Sequence, residues 1–225
     1  MFFYHMTMKK ICIMQPYLFP YLGYYQMAAS VDEFVFLDDA NFFKKGYLNR
    51  NNLIYFDEKK RFTVPVLNAS QNRTINNHYY VNSGQEIFKI INQSYKRTKN
   101  FELISNLIME VFEEKDLNVS KVNIGSIFKV LKFLNIDIKI SISSEILPRG
   151  RFFNQDWLIE ICKVRNSNIY YNLPGGEKLY DKSYFKNNGI ELKFVKPFLP
   201  KYNQGIPNFI EGLSIIDVLM HNQRK

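Results

Sequence analysis

Carboxylates and one histidine are the groups of this 225-residue chain that can carry proton-transfer chemistry. Asp39 comes just after the apolar run EFVF, and Glu177 comes just after two glycines. Asp217 stands four residues before His221, which puts both on one face of a predicted helix. Because such groups can take a proton from an attacking amine, we name as candidate catalytic residues Asp39, Glu177, Asp217 and His221. Capping or surface contacts are the alternative for Asp39 and for the Asp217–His221 pair.

Cations and amides are combined in the segment KKGYLNRN, residues 44–51. Arg50 offers a bidentate fork for phosphate, and Lys45 offers a point charge. Asn49 supplies an amide that can both donate and accept. The segment predicts a site that binds a diphosphate, and a solvated loop is the alternative.

Aromatic rings dominate the segment ICIMQPYLFPYLGYYQ, residues 11–26. The pattern predicts a strand, a turn bracketed by two prolines and then a helix. Gln15, Tyr21, Tyr24 and Gln26 are expected to position a substrate. Rings that only cover the helix are the alternative interpretation.

Polar residues also follow two later strands. Ser143 and Ser144 come at the end of IDIKISIS, and Gly175 and Gly176 come after NIYYNL, with Tyr180 close behind. Adjacent backbone N–H groups of the glycine pair can bind an anion or an oxyanion, whereas an ordinary turn is the alternative. These five residues complete the predicted substrate-binding set.

Alternation of short apolar strands with amphipathic helices predicts what positions these residues. The order favours an α/β fold with a mostly parallel sheet, flanking helices and a helical insertion around 84–135. We expect one domain over residues 9–222, preceded by a disordered extension over residues 1–8. Ligands of open parallel sheets bind outside the carboxyl ends of the strands, so the polar clusters are expected to share one edge.

Composition narrows the class of partner. The formal net charge of +9 indicates an anionic partner, either a nucleotide-linked small molecule, a nucleic acid or a membrane surface. Two cysteines cannot build a disulfide framework, and no signal peptide or membrane span is evident, so we expect a cytoplasmic protein that does not bind membranes. The positive charges are spread along the chain without a long basic tail, so DNA is not expected as a partner. His5, His78 and His221 lack ligand spacing, so no metal is expected.

Several blocks occur in the order seen in the WbqC-like family, which the chain resembles from Lys9 to Asn222. They are MQPYLFPYLGYYQ, DDANFFKKGYLNRN, VPVLNASQN, the serine pair after IDIKIS, PGGEKLYD and LSIIDVLMHN. The chain departs from the family pattern at His221, where an aromatic residue is usual, and at Tyr47, where tryptophan is common. The resemblance implies a setting in O-antigen or other surface polysaccharide gene clusters, with glycine transfer to an amino sugar as one associated role.

A second likeness is to the HIGH-type nucleotide-binding enzymes, in the layout strand–turn–helix–strand. Tyr21 and Tyr24 stand where those enzymes have histidines, and tyrosine is not cationic near neutral pH. This likeness implies an adenylating enzyme that uses ATP, with Lys45 or Arg50 supplying the missing charge.

Together these features predict a transferase that forms an amide on a nucleotide-linked amino sugar. Its acyl donor is open between a glycyl-adenylate made with ATP, an aminoacyl-tRNA and a thioester. The alternatives are a non-catalytic sugar-nucleotide-binding protein, the adenylating enzyme and an RNA-binding protein. The sequence leaves the oligomeric state open.

Overall fold

A computed structural model describes residues 8–150, 152 and 154–222 of the chain. The contacts divide the chain into two compact units that interleave along the sequence. The sheet unit comprises residues 1–15, 26–39 and 138–198, and the helical unit comprises residues 16–25, 40–137 and 199–225. One domain over residues 9–222 stays a prediction. The extension predicted to be disordered lies, apart from Met8, outside the described residues.

The described chain contains seven strands and eight helices, besides short 3₁₀ turns at Ile75–Asn77 and Pro174–Gly176. The strands are β1 (Lys10–Met14), β2 (Glu33–Phe36), β3 (Arg50–Tyr55), β4 (Glu58–Thr63), β5 (Lys139–Ile142), β6 (Ile169–Asn172) and β7 (Glu191–Phe194). The helices are α1 (Leu22–Ala29), α2 (Gly84–Tyr95), α3 (Phe101–Phe112), α4 (Val119–Phe133), α5 (Ser143–Ile146), α6 (Asn154–Val164), α7 (Lys182–Asn187) and α8 (Ile215–His221).

The sheet unit is built on five parallel strands in the order β5-β2-β1-β6-β7. Strands β1 and β2 lie inside the sheet and, after their first residues Lys10 and Glu33, are continuous apolar runs, as parallel strands covered on both faces require. The chain extends from β1 to β2 and β5 on one side, then crosses to β6 and β7 on the other. The parallel pair joined by α1 and the α/β class are confirmed, and the strand order reverses between β1 and β6.

The helical unit contains the antiparallel β3–β4 hairpin together with α2, α3, α4 and α8. The helical segment predicted around 84–135 is confirmed as three successive helices. The apolar stripe of α3, with Ile104, Ile108 and Val111, is buried as its spacing predicts. No helix within residues 8–150 or 154–222 has the length and apolar character needed to cross a bilayer.

Sequence patterns missed β3, because its buried positions include polar side chains. The amide of Asn51 donates to the backbone oxygens of Leu18 and Phe19, at 3.1 and 2.7 Å. An asparagine whose partners are chain carbonyls can be buried at little cost, so polarity does not signal exposure here. Arg50, predicted in a loop, is the first residue of this strand.

Candidate functional site

One edge of the parallel sheet collects polar groups from four strands. Gln15 follows β1, Asp39 lies three residues beyond β2, Ser143 directly follows β5 and Gly175 lies three residues beyond β6. Because these strands are parallel neighbours, their carboxyl ends lie at the same edge. This edge is where open α/β sheets bind ligands.

Two adjacent carboxylates and two serines form the centre of this edge. The hydroxyl of Ser143 hydrogen-bonds Asp39 and lies 3.1 Å from an oxygen of Asp38. Ser144 donates its backbone N–H and its hydroxyl to Asp38, at 3.1 and 2.8 Å. The backbone N–H of Arg149 donates to Asp39 at 2.8 Å. We call Asp38, Asp39, Ser143 and Ser144 the carboxylate–serine cluster.

The pKa of the Asp39 carboxyl group is raised within this cluster. Only 7% of the surface of Asp39 is exposed, and burial raises the pKa of its carboxyl group. Hydrogen bonds from Ser143 and from the Arg149 N–H lower that pKa, and the neighbouring Asp38 charge raises it. Since a hydroxyl has one proton, Ser143 can donate to only one of the two carboxylates at a time. A carboxylate with a raised pKa is suited to general-base chemistry near neutral pH.

The glycine turn after β6 is explained largely by packing. A side chain at Gly176 would place its Cβ 2.6 Å from the amide nitrogen of Asn172, so the Asn172 side chain would have to move to admit a larger residue. The Gly176 N–H already donates to the Leu173 oxygen at 2.9 Å. This N–H is therefore not available to an oxyanion, and the predicted anion-binding role passes to Gly175. Glu177, which follows, is exposed.

Gln26 and Tyr180 also belong to the sheet unit. The amide nitrogen of Gln26 donates to the Phe198 oxygen at 2.6 Å, while its amide oxygen is buried without a hydrogen-bond partner. Tyr180 packs against the rings of Tyr170 and Phe185, and burial raises the pKa of its hydroxyl. Their contact with a substrate stays a prediction.

In the helical unit, the proline-rich turn lies beside the loop that carries the predicted phosphate ligands. The Leu18 N–H donates to the Tyr47 oxygen at 3.1 Å. The ring of Tyr17 lies 6.1 Å from the rings of both Tyr24 and Tyr47. Tyr24 has no exposed surface, which fits the alternative that it covers the helix, whereas Tyr21 is half-buried.

The predicted diphosphate ligands are partly engaged by the chain itself. Asn49 donates its amide to the Val64 oxygen at 2.9 Å. The Nε of Arg50 donates to the Gly46 oxygen at 2.9 Å, which fixes the direction of the guanidinium group. Lys45 is exposed. Phosphate binding by this loop stays a prediction.

The predicted Asp217–His221 pair is in contact in the helical unit, but its hydrogen bond is to the backbone. His221 Nδ1 lies 2.9 Å from the Asp217 backbone oxygen and 3.6 Å from a carboxylate oxygen. A carbonyl can only accept, so Nδ1 carries the proton and Nε2 is the basic nitrogen of the neutral ring.

Three residues that sequence reasoning missed surround the fully buried Asp217 carboxylate. Tyr95 donates its hydroxyl at 2.9 Å, Gln204 donates its amide at 3.1 Å, and Tyr202 donates its hydroxyl to the same carboxylate. Burial and the Asp217 charge raise the pKa of both tyrosines. Tyr95 is 122 residues away from Asp217, so no local pattern could have indicated the contact. Among the residues that the structure describes, no three or more histidine, cysteine, aspartate or glutamate side chains come close enough together to hold a metal ion.

Comparison with known proteins identifies a family and a relative. A model described as the WbqC-like protein family matches residues 15–225. An uncharacterized protein of Mycobacterium tuberculosis, Rv1507c, is 23% identical over 220 residues, which cover 95% of this chain and 94% of that protein. No solved structure matches the chain.

Proposed function

We propose that this chain, which belongs to the WbqC-like protein family, is a transferase of surface polysaccharide biosynthesis. Its proposed reaction forms an amide on a nucleotide-linked amino sugar. The observation that carries the proposal is that Asp39 is buried in the carboxylate–serine cluster, at the edge of the sheet where ligands bind, and that its pKa is raised there.

Amide formation needs a base of this kind. An amino sugar is an ammonium ion near neutral pH, and only the neutral amine has the electron pair that attacks an acyl carbon. In the proposed step Asp39 takes a proton from the ammonium, and the neutral nitrogen forms a bond to the acyl carbon. The carrier of the acyl group then leaves with its bonding electrons and takes up the second proton that the nitrogen loses as the amide forms. A carboxylate with a raised pKa removes that proton more effectively than an ordinary one.

The neighbouring residues supply the other requirements of acyl transfer. Negative charge develops on the acyl oxygen as the nitrogen attacks, and donors aimed at that oxygen lower the barrier. In the proposal, the exposed Gly175 N–H supports the oxyanion, while Gln15 and Ser144 help to orient the sugar. We assign Lys45 and Arg50 of the helical unit to phosphate binding. A cytoplasmic location completes the proposal, in keeping with the free, buried thiols of Cys12 and Cys162.

The direct test is incubation of the purified protein with a panel of amino-sugar nucleotides and acyl donors, with products identified by mass spectrometry. The donor panel comprises glycine with ATP, glycyl-tRNA and glycyl thioesters. We expect an N-acylated sugar nucleotide whose formation Asp39→Asn lowers about 100-fold or more. Asp137→Asn, at an exposed carboxylate, is the matched control and is expected to keep full activity.

Two outcomes would contradict the proposal. One is an absence of N-acylated product with every donor from a folded protein. The other is equal turnover by the Asp39→Asn and Asp137→Asn variants. Thermal stabilisation by a sugar nucleotide without any product would instead support the non-catalytic binding protein.

Arg50→Ala tests the phosphate-binding part separately. We expect a sugar nucleotide to bind about tenfold or more weakly, since a charge-assisted contact is lost, with little change in the thermal midpoint of unfolding. Lys89→Ala removes an exposed cation of the same unit and serves as the control. A folded Arg50→Ala variant with unchanged affinity would remove Arg50 from the phosphate site.

A further inference from the structure

Strand β7 is the last strand on one side of the described sheet, and its outer side forms an open lateral edge. It pairs only with β6, and it stands last in the strand order. The N–H groups of Glu191 and Val195 donate to the oxygens of Asn168 and Asn172, at 2.8 Å each. Because alternate residues of a parallel strand face opposite neighbours, the N–H and C=O groups of the residues between them face away from β6. Leu192 and Phe194 thus present backbone donors and acceptors at this edge.

A lysine-rich groove of about 1030 Å³ runs along the same edge. Lysines from α7 and from β7 and the chain beyond it line the groove, namely Lys182, Lys186, Lys193 and Lys196. Glu191 is the one carboxylate of the described lining, and it lies 3.1 Å from the ammonium group of Lys193. The groove therefore has an excess of positive charge beside unpaired backbone groups.

One buried polar atom in the lining also lacks a partner. The side-chain oxygen of Asn168 is inaccessible to solvent and accepts no hydrogen bond in the described structure. Buried acceptors without donors are rare in folded proteins, and a bound group could donate to this one if the Asn168 side chain turned toward the groove.

We infer that this groove binds an acidic, extended segment of a partner protein, which adds to β7 as a sixth strand. Strand addition uses the backbone groups of an exposed edge for affinity and the flanking side chains for selection. Glutamate or aspartate side chains on such a strand would meet the lysines. A second copy of this chain would bring the same lysines to the groove, and like charges opposite each other oppose pairing. The inference does not depend on the proposed function, whose carboxylates lie beyond β2.

The probe is a fluorescent peptide of about eight residues in which glutamate alternates with threonine, as many residues as the consecutive lining segment 189–196. We expect saturable binding by fluorescence anisotropy. Replacing the glutamates by lysine tests charge, and N-methylating alternate amides of the peptide tests backbone pairing. Each change is expected to weaken binding about tenfold or more.

A pair of charge reversals tests the location on the protein. Lys182→Glu with Lys186→Glu is expected to abolish most of the binding, whereas Lys89→Glu with Lys115→Glu, at exposed lysines outside the groove, should not. All four side chains are exposed, so both double variants are expected to fold. Hydrogen exchange provides a second readout, since the bound peptide should slow exchange of the Leu192 and Phe194 amides.

Several results would overturn the inference. Equal loss of binding in both double variants, or unchanged binding of the N-methylated peptide, would indicate general attraction between charges. Protection of amides elsewhere, without protection at Leu192 and Phe194, would place the peptide on another surface. If the protein dimerises without any peptide, and the double variant Lys182→Glu with Lys186→Glu changes that dimerisation, the occupant of the groove is a second copy of the chain.

Discussion

Strand β2 has a buried carboxylate near each end, and the two are held in opposite ways. At the amino end, Glu33 contacts Lys9 at 2.6 Å and Arg165 at 2.7 Å, and Ser141 donates to it at 2.6 Å. Burial alone would raise the pKa of Glu33, but these donors lower it from 4.5 to about 2. Beyond the carboxyl end, Asp39 has neutral donors and another carboxylate beside it, and its pKa is raised.

The difference separates a structural carboxylate from a candidate base. Glu33 is kept ionised by the close cations Lys9 and Arg165 and by Lys139 at 3.7 Å, which makes it a poor proton acceptor but a strong link between β2 and its neighbours. Asp39 is buried beside the Asp38 charge and accepts from a hydroxyl and a backbone N–H, so its negative charge is costly and it binds a proton more readily. Perturbed pKa values mark functional positions when they are raised at a ligand-binding edge and mark structural ones when ion pairs cause them.

The largest effect is expected from breaking the amino-end ion pairs. Glu33→Gln leaves Lys9 and Arg165 without their partner in a partly buried position, and removal of one member of such a pair costs about 3 kcal/mol or more. We expect the free energy of unfolding in urea to fall by that amount. Glu110→Gln, which breaks the exposed pair with Lys129, is the control and should cost about 1 kcal/mol or less. Equal effects of the two substitutions would contradict the structural role of Glu33.

The carboxyl-end counterpart is expected to affect activity more than stability. Asp39→Asn removes a charge whose burial is unfavourable, and its amide oxygen can still accept from the Arg149 N–H while its NH2 group can donate to the Ser143 hydroxyl oxygen. We expect the free energy of unfolding to change by about 1 kcal/mol or less, while amide formation falls about 100-fold. Urea denaturation and the mass-spectrometric assay measure the two quantities. A loss of stability as large as that of Glu33→Gln would make Asp39 a structural residue and remove the contrast.

The two ends of β2 should also respond to pH with opposite signs. The folded pKa of Glu33 lies below its ordinary value, so its contribution to stability is present above pH 4.5 and is lost as the pH falls toward 2. The folded pKa of Asp39 lies above 3.8, so its contribution is greatest below that pH and is lost as the pH rises through the folded value. Unfolding free energies should be measured from about pH 2 up to neutral pH. As the pH falls, stability should be lost less steeply in Glu33→Gln than in the parent protein, and more steeply in Asp39→Asn. The same direction of change in both variants would contradict the assignments.

Sequence patterns predicted the carboxyl end of β2 far better than its amino end. The run EFVF, the carboxylates after it and the serines after β5 follow from a local rule, because parallel neighbours end at one edge. The partners of Glu33 are separated from it by 24 and 132 residues, and no local rule selects them. The same limit hid the contact of Tyr95 with Asp217 and the burial of Asn51, whose partners are backbone oxygens brought in by the fold.

The smallest change tests whether Ser143 tunes the proton affinity of Asp39. Ser143→Ala removes a hydrogen bond that lowers the pKa of Asp39, so that pKa should rise further in the variant. Since the base must be ionised, the acid limb of the pH–rate profile for amide formation should move to higher pH, with a rate approaching that of the parent protein at alkaline pH. The loss of one buried hydrogen bond should cost about 1 kcal/mol of unfolding free energy. Ser144→Ala is the control for the position of the acid limb, because its hydroxyl contacts Asp38 and not Asp39. Loss of the proposed contact between Ser144 and the sugar would lower the rate equally at every pH. An equal loss of rate at every pH in Ser143→Ala would mean that the serine only holds the fold, and the contrast between the two ends of β2 would then rest on burial alone.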